Sequence, residues 1–405
     1  MIVDQVQRLP LSSTPFRHAL EQALEGRTIT PEDAYALIHA SGADLPALMW
    51  AASTLRDQGK GRTVTYSRKV FLPLTNLCRD RCGYCTFVHS PKDTEAHTMT
   101  PDEVLQVATE GAKLGCKEAL FSLGDRPELR HVDARRHLKA LGYASTPAYL
   151  TAMCRLVLEQ TGLLPHTNAG LLTRNELLGL REVNASMGLM LENVSDRLLE
   201  RGGPHFGAKS KAPALRLAMM GTAGELGIAF TTGILIGIGE TLEERVDSLF
   251  AIADLHRRHG HIQEVIIQNF RAKAATRMRH ALEPSVLDMV RTIAVARLVL
   301  GPDMNIQAPP NLTPDAYQMY LLAGINDWGG VSPLTKDFIN PEAPWPNLLE
   351  LKQATEEVGF HLTERLAIYP EYVRKGSAYL GDSVRERVAT LVGEDGFVKK
   401  ELVQW

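Results

Sequence analysis

The sequence lacks a long apolar run and an excess of charge of one sign. No segment of its 405 residues approaches the ~20 consecutive apolar residues that a membrane-spanning helix needs. Lys and Arg total 44 against 47 Asp and Glu, for a formal net charge of −3, so the broad basic surface typical of a nucleic-acid binder is absent. The opening stretch MIVDQVQRLP has no basic region followed by an apolar one. We therefore expect a cytoplasmic protein that acts on a small molecule.

Cysteine is scarce and unevenly placed. The chain has 5 cysteines, an odd number that does not suit a disulfide framework. Cys78, Cys82 and Cys85 fall close together, whereas Cys116 and Cys154 stand alone among apolar and helix-forming neighbours and are expected to be buried, inert thiols. The close group predicts a metal or redox site in a reducing compartment.

The composition is that of a globular protein, 44% hydrophobic and 22% charged. From about Val70 onward, short apolar runs rich in β-branched residues alternate with amphipathic stretches, which is the pattern of repeated βα units. Because the last of the eight strand signals is poor, we predict an α/β fold with a (β/α)8 TIM-type barrel, complete or incomplete. The predicted strands are 70–76, 118–124, 164–170, 186–193, 229–237, 264–270, 304–309 and 328–331.

The ends of the chain differ from its middle. Residues 1–62 contain helical patterns without strand signals and are predicted to form a helical N-terminal extension. Residues 63–345 are assigned to the barrel, and residues 346–405 to a helical and irregular C-terminal segment. Within the barrel, Thr100, Thr173 and Thr241 each stand three residues before a glutamate, which is the capping-box pattern of a helix start.

The three close cysteines follow the first predicted strand. VFLPLTN runs directly into LCRDRCGYC, so the thiols lie in the first βα loop, at the end of a barrel where chemistry occurs. Three cysteine ligands leave one position of a four-iron cluster free for a substrate or cofactor atom. A zinc site is the alternative, with His89 or His97 as the fourth ligand.

The spacing Cys78-x-x-x-Cys82-x-Tyr84-Cys85 resembles the CxxxCxΦC signature of the radical S-adenosylmethionine (SAM) enzymes. The resemblance implies that the three cysteines bind a [4Fe-4S] cluster. It also implies that the open iron takes the amino and carboxylate groups of SAM before reductive cleavage to a 5′-deoxyadenosyl radical.

The same resemblance suggests roles for residues on later strands. Gly124 and Asp125 look like the motif that holds the methionyl amine, although a tight turn with a solvated Asp is equally compatible. By similarity to related barrels, Glu192 is expected to bind the SAM ribose and Arg216 the methionyl carboxylate. From composition alone, a surface salt bridge is the simpler interpretation of Arg216.

Two more positions are expected near the adenine. The run GILIGIGE does not have the GxGxxG spacing of a dinucleotide site, but it resembles the fifth-strand GxIxGxxE motif, which places Gly237 along the adenine. Tyr84 matches a position whose main chain meets the adenine edge. Amide-rich ends of strands six, seven and eight would suit a polyhydroxylated or pyrimidine-like substrate: Gln268, Asn269, Gln307, Asn311 and Asn326.

A closer resemblance extends from about Ser67 to Tyr372. Strings such as FSLGDRPE, GLMLENVSDRLLERGGPH and IIQNFRAKAATRM are similar to the CofG family of FO synthases. This similarity implies a carbon–nitrogen lyase that cyclises 5-amino-5-(4-hydroxybenzyl)-6-(D-ribitylimino)-5,6-dihydrouracil to 7,8-didemethyl-8-hydroxy-5-deazariboflavin (FO), with release of ammonia. It also implies a CofH-type partner subunit and an electron donor. Because the chain ends at Trp405, it resembles the free rather than the fused form.

Three alternatives to this family remain open at the level of the sequence. They are the sister enzyme CofH, a cyclising radical enzyme of menaquinone synthesis, and a non-catalytic iron–sulfur or zinc protein. FSLGDRPE favours CofG over the first two.

Overall fold

In a computed structural model of the chain, residue 7, residue 9 and residues 11–405 are described. The stretch considered as a leader, residues 1–10, therefore lies almost entirely outside the described residues. Three helices come first, α1 (Thr14–Leu24), α2 (Pro31–Ile38) and α3 (Asp44–Lys60). From residue 11 to the end, no helix combines the length and the apolar character that crossing a bilayer requires.

Parallel strands form one sheet that closes into a barrel. The strands are β1 (Thr63–Thr75), β2 (Glu118–Leu123), β3 (Leu164–Asn168), β4 (Ser186–Gly188), β5 (Phe230–Ile236), β6 (Ile262–Asn269), β7 (Ile306–Gln307), β8 (Asp327–Val331) and β9 (His361–Glu364). The strand order is β2-β3-β4-β5-β6-β7-β8-β1-β9, and β1 also pairs with β2, which completes an eight-stranded ring. The predicted TIM-type fold is confirmed, and the barrel is complete.

Helices surround this ring, and several begin where the capping pattern predicted. At Thr100, Thr173 and Thr241 the threonine hydroxyl accepts from the backbone of the glutamate three residues on, and that carboxylate accepts in return from the threonine N–H. The remaining helices are α4 (Pro101–Lys113), α5 (Val132–Ala140), α6 (Thr146–Thr161), α7 (Arg174–Arg181), α8 (Pro213–Glu225), α9 (Leu242–His259), α10 (Val286–Leu300), α11 (Gln318–Leu322), α12 (Leu348–Glu357), α13 (Pro370–Val373) and α14 (Asp382–Leu391).

Some strand ends differ from the prediction. Strand β1 begins at Thr63 rather than at Val70, since Arg68 and Lys69 interrupt the apolar pattern although both are buried within the strand. Strand β4 stops at Gly188, and Glu192 then has a φ of 66°, a left-handed conformation that no strand contains. Both differences arise where charged residues lie in or just beyond a barrel strand.

The C-terminal segment closes the barrel at the end opposite the βα loops. Strand β9 pairs with the start of β1, and the chain then crosses the barrel end. There the Ala367 carbonyl accepts from Ser186 Oγ at 2.6 Å and from Gln263 Nε2 at 3.1 Å. A short strand and a crossing thus lie in a segment expected to be helical and irregular, while the division of the chain at residues 62 and 345 stays a prediction.

Two lone cysteines are buried, as predicted. Cys116 and Cys154 are free thiols, 6% and 0% exposed, and burial raises the pKa of each to about 12. A buried neutral thiol of this kind is unreactive.

Candidate active site

One cavity of about 370 Å³ occupies the inside of the barrel and opens toward the βα loops. Side chains two residues apart line it, because alternate residues of a barrel strand face inward. On β2 these are Glu118, Leu120 and Ser122, and on β6 they are Glu264, Ile266 and Gln268. A volume of this size suits a small-molecule site.

The cysteine loop, residues 76–100, joins β1 to α4 over the open end of the cavity. Cys78, Cys82 and Cys85 are all free and all line the cavity. Gly124, at the end of β2, allows this packing, because a Cβ there would lie 1.9 Å from the Leu77 carbonyl oxygen. The backbone of Gly124 therefore packs directly against the backbone of the cysteine loop, and this contact helps to position the loop.

Backbone amides converge on the sulfur of Cys78. The N–H groups of Asp80 and Asp125 donate to Cys78 Sγ at 3.3 Å and 3.2 Å. Burial raises the pKa of Cys78 to about 12, although these two amides lower it, and burial raises that of Cys82 to about 11. These sulfurs thus need neighbouring cations to ionise, and iron in a cluster would supply them. Three free thiols, one of them buried with two amides directed at its sulfur, fit the cysteine set of an iron–sulfur cluster.

The two histidines considered as zinc ligands lie elsewhere. His89 Nε2 is 3.6 Å from Glu95 Oε2, and His97 Nε2 is 3.2 Å from Glu103 Oε1, so each faces a carboxylate. Neither lines the cavity. Within the described part of the chain, no three His, Cys, Asp or Glu side chains converge on a position for a single metal ion.

Glu192 and Arg216, which the resemblance predicts to bind the SAM ribose and the methionyl carboxylate, lie in the cavity wall beside the cysteine loop. Lys211 Nζ contacts Glu192 Oε1 at 2.5 Å. Burial would raise the pKa of Glu192, but Lys211 and Arg216 outweigh it and the net pKa lies below the ordinary value, so the carboxylate is charged at neutral pH. Lys211 was not predicted, because a lysine at the end of a short 3₁₀ turn (Lys209–Lys211) gives no signal in sequence.

Arg216 is 4% exposed, so the interpretation as a surface salt bridge is wrong. Its Nε donates to the Ser210 carbonyl at 3.0 Å, and Nη1 donates to the Met190 carbonyl. Within the described residues Nη2 makes no hydrogen bond, which leaves one donor nitrogen for another acceptor.

Asp125 is 6% exposed, so the alternative of a solvated turn residue is also wrong. Its Oδ1 lies 2.9 Å from Arg79 Nε, and its Oδ2 accepts from the Leu171 N–H at 3.1 Å. The carboxylate lines the cavity beside Cys78. Asp125 therefore reaches the cysteine end of the cavity, already in contact with one arginine.

The two residues expected near the adenine occupy different environments. Tyr84 lines the cavity, and its hydroxyl lies 3.0 Å from His205 Nε2. Gly237 is not among the described residues of the cavity wall; its N–H donates to Glu240 Oε1 at 2.7 Å, and with a φ of 89° it makes the turn after β5. Tyr84 thus lies in the same cavity wall as the other predicted residues, whereas Gly237 lies outside that wall.

The expected convergence of amides holds in part. Gln268, Asn269 and Gln307 line the cavity. Asn311 instead donates to Asp337 and to the Ala343 carbonyl, and Asn326 receives Arg297 and the Ile306 N–H. The prediction is therefore wrong for Asn311 and Asn326, which hold loops and strand ends in place.

Charged residues deep in the cavity were missed altogether. Lys69, Glu118, Glu264 and Arg365 are buried and line its inner end. The available signal was a charge at an inward position of a predicted strand, as at Glu118 and Glu264. No pattern marks Arg365, which arrives from the C-terminal segment.

Known proteins resemble this chain over most of its length. The model of the radical SAM superfamily matches residues 72–252. A 7,8-didemethyl-8-hydroxy-5-deazariboflavin synthase of Methanopyrus kandleri is 52% identical over 336 residues, which cover 83% of this chain and 100% of that protein. The chain belongs to the 7,8-didemethyl-8-hydroxy-5-deazariboflavin synthase family. Members of this family are radical SAM enzymes, and their cofactors, a [4Fe-4S] cluster and SAM, are also those of this chain.

Other deazariboflavin synthase relatives are longer proteins. An FO synthase of Nocardia farcinica is 50% identical over 393 residues, which cover 94% of this chain but 45% of that protein. This chain thus spans about half the length of such relatives. Among solved structures, methylornithine synthase superimposes with a TM-score of 0.67 at 20% identity, covering 85% of this chain and 97% of that one. That likeness supports the barrel fold.

Proposed function

We propose that this chain cyclises 5-amino-5-(4-hydroxybenzyl)-6-(D-ribitylimino)-5,6-dihydrouracil to FO with release of ammonia, as a carbon–nitrogen lyase. The observation that carries the proposal is that three free cysteines, Glu192 and Arg216 line one cavity inside a barrel. The full-length match to the deazariboflavin synthase of M. kandleri supports the choice of reaction.

The residues at the cysteine end divide the work of holding the cofactors. Cys78, Cys82 and Cys85 would bind three irons of the cluster, and the amides of Asp80 and Asp125 would stabilise the charge on Cys78 Sγ. When bound, the cluster and SAM supply the radical that removes hydrogen from the substrate. The chain itself has to orient the substrate and exclude water, which a cavity enclosed within a barrel does.

Charged side chains beside the cysteine loop would fix SAM. Arg216 would pair with the methionyl carboxylate through Nη2, and Asp125 would accept from the methionyl amine. Glu192, charged because of Lys211 and Arg216, would accept from the ribose hydroxyls. Lys211 donates to Oε1 of Glu192, so Oε2 is the oxygen that can accept from the ribose. Tyr84 and Gly237 remain proposed at the adenine edge.

The reaction also needs partners. The FO synthase of N. farcinica is about twice as long as the matched region, and this difference supports the proposal that a CofH-type chain provides the substrate adduct. A separate electron donor would reduce the cluster. In this proposal the CofH-type chain supplies the substrate and the donor supplies the electron, while the cavity itself is formed by this chain.

The test is an anaerobic assay of the reconstituted protein. Iron and sulfide are added, the protein is reduced, and SAM is supplied with the chemically prepared tyrosine-derived ribityluracil adduct. We expect 5′-deoxyadenosine and fluorescent FO to form together. A reaction without adduct and a second with tyrosine plus ribityl diaminouracil serve as controls.

The products separate the possibilities. Deoxyadenosine without FO from the adduct, but with coupling of tyrosine to the diaminouracil, would replace the proposal by the sister reaction. If a protein with a confirmed cluster forms neither deoxyadenosine nor FO, the proposal is refuted.

A further inference from the structure

The inner end of the cavity is polar, and the proposed function gives it no role. Six buried side chains line it, here called the floor cluster. Five of them come from barrel strands, and one follows β9 across the barrel end. The floor cluster consists of Lys69, Glu118, His166, Glu264, Gln307 and Arg365.

Each charge in the floor cluster already has a partner. Lys69 Nζ lies 2.7 Å from Glu118 Oε1, and Arg365 Nη2 lies 3.0 Å from Glu264 Oε1. Arg365 Nε also lies 2.6 Å from Asp327 Oδ2. A ligand carboxylate or phosphate would therefore find no cation that is free to balance it.

Two members of the cluster are neutral: His166, whose ring has partners in Ser186 and Asn168, and Gln307, whose side-chain amide is free among the described residues. Burial lowers the pKa of His166 to about 4, so its ring is neutral, and Nδ1 lies 2.6 Å from Ser186 Oγ. Gln307 is 8% exposed, and within the described residues its amide makes no hydrogen bond. An unpartnered, buried amide at a cavity wall indicates a ligand that both donates and accepts.

The layer above the floor cluster is apolar. Two residues further along their strands, Lys69, Glu118 and Glu264 are followed by inward-facing Phe71, Leu120 and Ile266. The Trp345 ring stacks on Phe71, with centroids 5.1 Å apart and planes at 11°. Flat rings fit such a section, which lies between the floor cluster and the cysteine loop.

We infer that the floor cluster binds the ribityl chain of the substrate and that the pyrimidine and phenol rings lie in the apolar layer beneath SAM. Hydroxyl groups donate and accept at once, which matches paired ions, a neutral imidazole and a free amide. Free tyrosine, by contrast, would bring a charged carboxylate and ammonium to the floor cluster, where each ion is already paired with an opposite charge. This assignment rests on the proposed function.

The position of the floor cluster in the chain supports a role in specificity. Lys69, Glu264, Gln307 and Arg365 all lie outside residues 72–252, the region that matches the radical SAM superfamily. The cysteine loop and Glu192 lie within it. Glu118 and His166 also lie within it, so four of the six members of the floor cluster come from outside the region that carries the shared chemistry.

The test compares two ligands by equilibrium dialysis against the anaerobic, reconstituted protein with SAM present. One ligand is FO, and the other is its 10-methyl analogue, which has the same fluorescent rings and no ribityl chain. We expect the wild-type protein to bind FO at least tenfold more tightly than the analogue. Gln307→Leu and Glu118→Gln should each reduce that preference about five- to tenfold, because the first removes a buried hydrogen bond to the ribityl chain and the second replaces a charged acceptor by a weaker neutral one.

Matched variants make the result specific. Gln307→Leu keeps the size of the side chain and leaves every ion pair intact, so it remains informative if Glu118→Gln folds poorly. Glu110→Gln, on the exposed face of α4, is the same chemical change outside the cavity and should leave the preference unaltered.

Several outcomes would overturn the inference while leaving the proposed function in place. These are equal affinity of the wild-type protein for both ligands, an unchanged preference in Gln307→Leu, or no binding of either ligand to an enzyme that makes FO. A protein that binds neither ligand and makes no FO would instead refute the proposed function.

Discussion

At the cysteine end of the cavity the thiols are free, whereas at the floor cluster every charge faces an opposite charge. The first region is a loop, residues 76–100, held by isolated bridges such as Thr75 with Thr98. The second is built on strands and contains ion pairs of 2.6–3.0 Å. Both regions bury polar groups and contain ion pairs, such as Lys211 with Glu192 at the cysteine end, but the cysteine end also holds three free thiols.

The difference concerns what each region requires from outside. Desolvation raises the pKa of Cys78 and Cys82, so these thiols need metal to become charged ligands and the cysteine end is complete only with its cofactors. The floor cluster is already stabilised and can present fixed, neutral hydrogen-bonding groups to a substrate. We therefore expect substitutions at the two ends to have different consequences, on activity at one and on stability at the other.

The largest expected effect on activity is at the cysteine end. Cys78→Ala should abolish cluster assembly and, with it, formation of 5′-deoxyadenosine and FO, because a three-cysteine site has no ligand to spare. Iron content, visible absorbance and product assays measure this. Cys116→Ala, a buried cysteine outside the cavity, should retain both cluster and activity. Full activity of Cys78→Ala would refute the assignment of the cysteine loop.

The largest expected effect on stability is at the floor cluster. Arg365→Met leaves Glu264 and Asp327 buried without their cation, so the free energy of unfolding should fall by about 3–5 kcal/mol. Denaturant unfolding of the metal-free protein measures it. Arg136→Met on the exposed face of α5 should change stability by less than about 0.5 kcal/mol. A similar small loss for Arg365→Met would remove the contrast between the two regions.

A smaller effect, on cofactor binding alone, is expected for Arg216→Ala. Loss of a charge-assisted hydrogen bond to the methionyl carboxylate should weaken SAM binding about ten- to a hundredfold while iron content stays constant. Binding of SAM to the reconstituted protein measures this. Arg174→Ala, an exposed arginine on α7, is the control. Unchanged affinity in Arg216→Ala would exclude its proposed role.

At pH 7 no loss of stability is expected from His166; its effect is a pH dependence of stability at the floor cluster. The pKa of His166 is about 4 in the folded protein, lowered by burial from 6.5, so below pH 6.5 the unfolded chain binds a proton that the folded chain does not. Stability from this residue is thus present above pH 6.5 and is lost at up to about 1.4 kcal/mol per pH unit as pH falls toward 4. His166→Gln should flatten the curve in this window, as measured by denaturant unfolding at several pH values.

The comparison residue for this pH dependence is His18, which is exposed on α1. His18→Gln should leave the slope between pH 6.5 and 4 unchanged. An identical slope for the wild-type protein and His166→Gln would show that His166 does not contribute.

Local patterns carried much of the fold and part of the site. The threonine–glutamate spacing at Thr100, Thr173 and Thr241 depends only on neighbouring residues, and the helices begin there. Glu192 and Arg216 were reached through resemblance, and the structure places both at the cysteine end. Asn326 was misjudged, because an amide at a strand end has the same sequence pattern whether it faces a cavity or caps a neighbouring strand.

The sequence by itself determined the barrel and the position of the cysteine loop, because strand periodicity, helix caps and the cysteine spacing are short-range features. Only the tertiary structure decided the floor cluster. Its ion pairs join Lys69 to Glu118 and Glu264 to Arg365, residues that lie far apart in the chain. A charged residue gives the same signal in sequence whether it is buried or exposed to solvent. Its partner, which the fold brings within reach, makes the difference.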